Sequence, residues 1–320
     1  MAMATIQFLS AEPETWWTVA SVCAVVTAAA ATWAATRVRG STAVPAACWG
    51  VVASLVLAAE WGLRSAGWLT EPTSGASLRL TAAALSLCPA MSILGAKRPQ
   101  HGVWQLIVGA LAVILVLPGL STALTRPGSV PDLHLLERCF LLFLALVGWI
   151  NFIATGNGIA ATLMTIGQLL LIRGFLPGVA SDSAFAPPGP LLETQAARDA
   201  LAAVTLAVGS VLACLVSARK KRLSSQENPL DFAARVNRPF LALRETFGAA
   251  WTLRIAERFD AIAASRGWPC RLGFLGLKCL GEPGEGAWQR DASRTLTALF
   301  RRFVTDRWLA RHGWPMNISN

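Results

Sequence analysis

Val103–Leu120 reads VWQLIVGALAVILVLPGL, an apolar run with no charged residue, set between Lys97-Arg98 on one side and Arg126 on the other. A bilayer core of about 30 Å is crossed by about 20 mostly apolar helical residues, so this run is long enough to span once its flanking residues are counted. A surface helix of a soluble domain keeps one polar face, and this stretch has none. It therefore decides the fold class, and the rest of the chain is read outward from it.

Six further stretches have the same character: Trp16–Thr36, Val44–Leu63, Leu78–Ala96, Cys139–Thr155, Gly158–Leu176 and Ala200–Ala218. The fifth span in chain order, Cys139–Thr155, is short, and an earlier start near Leu133 would place Glu137 and Arg138 among the headgroups. Thr155-Gly156-Asn157-Gly158 favours a tight turn, because glycine and asparagine tolerate positive φ. The spans on either side of it then form a hairpin. Composition agrees with a membrane reading: of the 320 residues 54% are hydrophobic and 14% charged, against about 25% charged in soluble domains. This excludes an ordinary soluble enzyme and, for most of the chain, disorder.

Charge sets the direction. In a seven-span reading all nine acids before Arg222, including Glu60, Asp132, Glu137 and Asp199, fall on the side of the amino terminus. The opposite side carries Arg37, Arg39, Lys97, Arg98 and the run Arg219-Lys220-Lys221-Arg222. Basic loops stay in the cytoplasm. The expectation is an inner (plasma) membrane protein with its amino terminus outside and its carboxyl terminus in the cytoplasm. Residues 1–15 hold no Lys or Arg and two Glu, so the first span is read as retained, not as a signal peptide. Trp16, Trp17, Trp33, Trp61, Trp68 and Trp104 fall at span ends, as interfacial anchors do.

The net charge is +10, with 14 basic and 9 acidic residues on each side of Arg222. The second part is less than half as long as the first, so charge density doubles there and marks a boundary: residues 1–222 as the seven-span domain and 223–320 as a basic tail. Within the tail, Phe240, Leu243, Phe247, Trp251, Ile255, Phe259 and Ile262 recur at helical spacing. Trp288, Ala292, Leu296, Leu299, Phe300 and Phe303 line one face of a second helix whose opposite face holds Arg290, Arg294 and Arg301. Between them Cys270–Leu280 alternates weakly, which suggests a hairpin around Gly273 or Gly276, and 281–286 is turn-rich. The fold expected is all-α: a polytopic bundle of about seven transmembrane helices with a small, mainly helical cytoplasmic C-terminal domain. The apolar stripes are either that domain's core or a surface lying on the membrane.

Ionisable residues inside apolar spans are functional candidates, because charge is costly in lipid. Glu60 stands four residues before Arg64, within reach of an ion pair at the outer end of its span. Arg173 sits one turn from an outer end, placed to snorkel. Asn151, Asn157 and Gln168 put neutral polar groups on the fifth and sixth spans, for interhelical hydrogen bonds or a polar path. Pro89 withholds an amide inside the third span.

Other chemistries lack their residues. His101, His134 and His312 fall in loops or the tail, which excludes bis-His haem, and neither a P-loop nor a His-Glu-x-x-His pair occurs. Cys270 and Cys279 stand alone in the tail and make a poor zinc motif. No cofactor, metal or catalytic constellation is expected. The partners expected are the bilayer and, for Lys97, Arg98, Arg219, Lys220, Lys221, Arg222, Arg290, Arg294 and Arg301, anionic phospholipid headgroups or a cytoplasmic protein. Nucleic acid is not among them, since no reading helix accompanies the charge. The reading is a membrane scaffold, sensor or assembly component; its rival is a secondary transporter or channel with a polar site near Glu60, Arg173 and the Asn151–Gln168 hairpin.

Overall fold

A computed structural model of the chain describes residues 13–70, 73, 75–97, 101–176, 194–224, 231–279 and 287–315. Among the described residues seven helices are long and apolar enough to cross a membrane. They are α1 (Pro13–Arg37), α2 (Val44–Ser65), α3 (Ala76–Leu94), α4 (His101–Thr125), α5 (Leu135–Ile153), α6 (Gly158–Ile172) and α7 (Gln195–Ser224). A 3₁₀ turn, Arg173–Phe175, extends α6. Most helices run a few residues beyond the apolar stretches. Thus α5 starts at Leu135, where the His134 amide donates to Glu137 Oε2 at 2.9 Å as half of a capping box. His134 is thereby a helix cap and His101 opens α4, where a loop was expected for both.

The helices α1, α2, α3, α6 and α7 close a ring, each packing on the next and α7 returning to α1. Alanine makes this possible. Ala20, Ala24, Ala53, Ala83, Ala84 and Ala203 are all buried, and small side chains let helices approach where apolar burial offers little driving force in lipid. At Gly167 and Gly209 the fit is tightest: a Cβ on either would crowd the facing helix, at Leu206 and Met164 respectively. The central helix is α3, which also contacts α4 and α5. In contrast α4 rests on α3 and presents Val103, Leu106, Val113, Ile114, Leu117 and Leu124 outward, a lipid-facing surface. Pro89 stays inside α3; it deprives Leu85 O of a donor, and Gln168 Nε2 from α6 reaches the adjacent Ser86 O at 2.8 Å.

After α7 come α8 (Phe232–Ser265), the strands β1 (Cys270–Gly273) and β2 (Gly276–Cys279), α9 (Ala287–Phe300) and α10 (Asp306–Arg311). The strands form an antiparallel hairpin with Gly273 opposite Gly276, so the tail is not purely helical. The apolar stripes face inward: Phe240, Leu243, Phe247, Ile255, Phe259, Leu296 and Phe300 are buried. This second core also takes in Ala43, Ala46, Ile93 and Ala96 from the turns of the bundle. Residues on both sides of Arg222 therefore share this core.

Candidate functional site

At one end of the ring the first turns of α3 and α7 meet the last turns of α2. Glu60 and Arg64 share a face of α2 by their four-residue spacing, with Arg64 Nε 3.3 Å from Glu60 Oε1. From α3, a single guanidinium nitrogen of Arg79 lies 2.7 Å from Glu60 Oε1 and 2.9 Å from Asp199 Oδ2 on α7. Gln195, one turn earlier on α7, accepts from the same nitrogen at 3.1 Å when its amide is oriented to suit it. Arg64 stacks over the Trp17 ring of α1 at 4.9 Å. Arg198 adjoins Asp199 within the electrostatic reach of Arg173, at the end of α6. All five ring helices thus bring a residue to this cluster.

The Glu60–Arg64 pair is buried within the cluster. Glu60 is 0% exposed, Asp199 4%, Arg64 6% and Arg79 8%. These two carboxylates and two guanidiniums balance, which is how charge is tolerated away from water. The balance is incomplete in hydrogen bonds: among the described residues Glu60 Oε2 and Arg79 Nε find no partner. Arg79 and Asp199 were not singled out in the sequence. The signal available was position, since each falls at the same end of an apolar span, Arg79 just inside Leu78–Ala96 and Asp199 just before Ala200–Ala218.

At the opposite end the tail grips three turns of the bundle. The grip is strongest at Asn151, near the end of α5. In the middle of α8, Gly248 adopts φ 78°, which breaks the helix, and its neighbours lose their regular partners. The Asn151 amide enters the break: Nδ2 donates to Phe247 O at 3.0 Å, and Oδ1 accepts from the Ala250 amide at 3.0 Å. A Cβ on Gly248 would overlap that amide. Alongside, Glu245 Oε1 accepts from the Gly156 amide at 3.2 Å, and Glu245 O accepts from Asn157 Nδ2 at 3.4 Å. At the α3 end Trp251 Nε1 donates to Ile93 O at 2.7 Å. At the α1–α2 turn Ser41 bridges Val304, Thr42 donates its amide to Phe303 O at 2.9 Å, and Thr305 donates to Gly40 O at 2.8 Å.

The polar residues grouped from sequence around one hairpin are therefore divided. Asn151 and Asn157 join the tail, Gln168 braces α3 from α6, and Glu60, Arg64, Arg79 and Asp199 form the lock at the far end. Arg290, Arg294 and Arg301 are exposed on or just beyond α9, Arg219 is exposed near the end of α7 and Lys97 is half-buried. Arg98, the side chains of Lys220, Lys221 and Arg222, and the segments 177–190, 225–228 and 281–286 lie outside the described residues. Among the described residues no three His, Cys, Asp or Glu gather as metal ligands would. Comparison with protein families, with curated proteins and with solved structures finds no match to this chain.

Proposed function

We propose that this multi-pass membrane protein is a scaffold of the inner membrane that holds a basic cytoplasmic platform against anionic lipid. The observation that carries the reading is the division of labour on α9. Its apolar face is spent in the core shared with the turns of the bundle, while Arg290, Arg294 and Arg301 stay exposed. In this reading the shared core fixes the tail on the bundle, and its exposed arginines act together with the basic loops at the same end of the chain's spans. Exposed arginines near an anionic surface contribute about 1 kcal/mol each. In this reading the amino terminus is outside and the lock at Glu60 faces the outer half of the membrane.

The full chain in neutral nanodiscs, mixed with vesicles containing phosphatidylglycerol, tests it. Binding should weaken as salt rises, because exposed charges are screened over about 10 Å at 0.1 M salt. It should weaken again when the three arginines become Gln, with the melting temperature unchanged. Absence of binding at low salt would replace lipid by a protein partner.

A second reading, a proton- or cation-coupled transporter, is favoured by one feature: a fully buried Glu60 whose Oε2 finds no hydrogen-bond partner among the described residues. Loss of a coupled flux in a folded Glu60→Gln variant would favour it over the scaffold.

A further inference from the structure

The two tail cysteines, nine residues apart in sequence, are register partners across the hairpin: Cys270 faces Cys279. The kind of pair they form follows from the amides between them and the turn. Leu272 donates its amide outward to Asp260 Oδ1 at 2.7 Å, and Leu277 donates its own to Asn237 Oδ1 at 2.6 Å. Both amides point away from the partner strand, so Leu272 and Leu277 are a non-hydrogen-bonded pair. Antiparallel pairs alternate, which makes Arg271 and Lys278 hydrogen-bonded and Cys270 and Cys279 non-hydrogen-bonded again. The Cys270 amide agrees, since it turns outward to Trp268 O at 2.9 Å. Directly opposed residues of this kind have Cα atoms about 4.5 Å apart and side chains on one face, inside the roughly 4.4–6.8 Å range that a disulfide spans.

From this register we infer that Cys270 and Cys279 are a redox modification site, a dithiol that closes to a cross-strand disulfide when it meets a small-molecule disulfide oxidant. The two thiols have different parts. Cys279 is exposed and Cys270 is 2% exposed, so Cys279 meets the oxidant. Its thiolate attacks one sulfur of oxidised glutathione, forming a mixed disulfide and expelling one glutathione thiolate. The Cys270 thiolate then attacks Cys279 Sγ and expels the second. Two protein thiols give up two protons and two electrons, and one oxidised glutathione becomes two reduced molecules. Burial pushes the Cys270 thiol up to about 11 and also raises Cys279. Closure is therefore slow at neutral pH and speeds up as pH rises and the thiols ionise, because the thiolate is the attacking species.

The hairpin is not isolated from the bundle. Arg244 Nη1 donates to Phe274 O at its tip at 3.1 Å, and the same guanidinium pairs with Glu245, which holds the Gly156 amide of the α5–α6 turn. A staple across the strands fixes the element on which this relay begins.

Trypsin supplies the test, because Arg271 and Lys278 separate the two cysteines. Full-length protein in detergent is treated with oxidised glutathione, alkylated and digested. The expected product is the peptide 267–271 linked to 279–290, lighter by two hydrogens than the sum of the free pair, with 272–278 released and the link reversed by dithiothreitol. In Cys270→Ser the reaction should stop with glutathione on Cys279, and in Cys279→Ser Cys270 should stay a thiol. A wild-type chain that stops at the glutathione adduct, or that links Cys279 to any cysteine other than Cys270, overturns the assignment.

Discussion

One guanidinium nitrogen of Arg79 holds two carboxylates, Glu60 and Asp199, and this asymmetry ranks the substitutions. Removing one partner of a buried pair costs about 3–5 kcal/mol, mostly from the charge left behind. Glu60→Gln breaks two close ion pairs, with Arg64 and Arg79, whereas Asp199→Asn breaks the one with Arg79. Glu60→Gln should therefore lower the melting temperature in detergent further than Asp199→Asn. The double variant Glu60→Gln with Arg79→Gln should cost less than the sum of the single ones, since the residues share one network. At the other end, Asn151→Ala strands Phe247 O and Ala250 N, about 1–3 kcal/mol for each group left buried. Limited trypsin digestion should then cut faster at Arg254 and Arg258, just past the break in α8. Gly248→Ala should do the same, because the alanine Cβ both strains the backbone and displaces the amide.

Among the elements, the seven apolar helices were legible because lipid permits so few solutions: a run such as Val103–Leu120 has no other stable environment. Their ends were less so, since Arg138 and Asp199 enter helices through capping and pairing that hydropathy does not register. The stripes of α8 and α9 were legible for a similar reason, as burial follows the helical period. The break at Gly248 was not, for the 3.6-residue spacing continues through it; an interior glycine was the sole hint. The hairpin was legible as a turn around two glycines, and which of its pairs are hydrogen-bonded followed only from the outward amides of Leu272 and Leu277. It also carries a pH prediction. Cys270 ionises at about 11 in the folded tail against an ordinary value of 9.0. A raised folded value means that the unfolded chain releases its proton first as pH climbs. Stability from this thiol is thus whole below pH 9 and lost as pH rises toward 11. Cys270→Ala should flatten the fall of melting temperature over that window relative to wild type.

For the whole molecule, the sequence placed charge on two sides and left the joining of tail and bundle open. In the structure the tail meets the bundle through apolar side chains and hydrogen bonds at the α1–α2, α3 and α5–α6 turns, and Arg290, Arg294 and Arg301 stay exposed. Long-range pairing of this kind has no local signature: Thr42 and Phe303 are far apart in sequence and ordinary where they stand. Reporter fusions after Arg39, Arg98 and Arg222 should be cytoplasmic, and those after Gly75, Gly128 and Ser183 outside. The most direct measurement of the central claim, that the tail is fixed on the turns of the bundle, uses the bridge between Ser41 and Val304. Bridged antiparallel partners stand within disulfide reach. With Ser41→Cys and Val304→Cys in the full chain, mild oxidation should join the two introduced cysteines within one molecule in high yield. Monomer that remains unlinked between these positions, while the protein stays folded and both thiols react freely with an alkylating reagent, would contradict the docked tail.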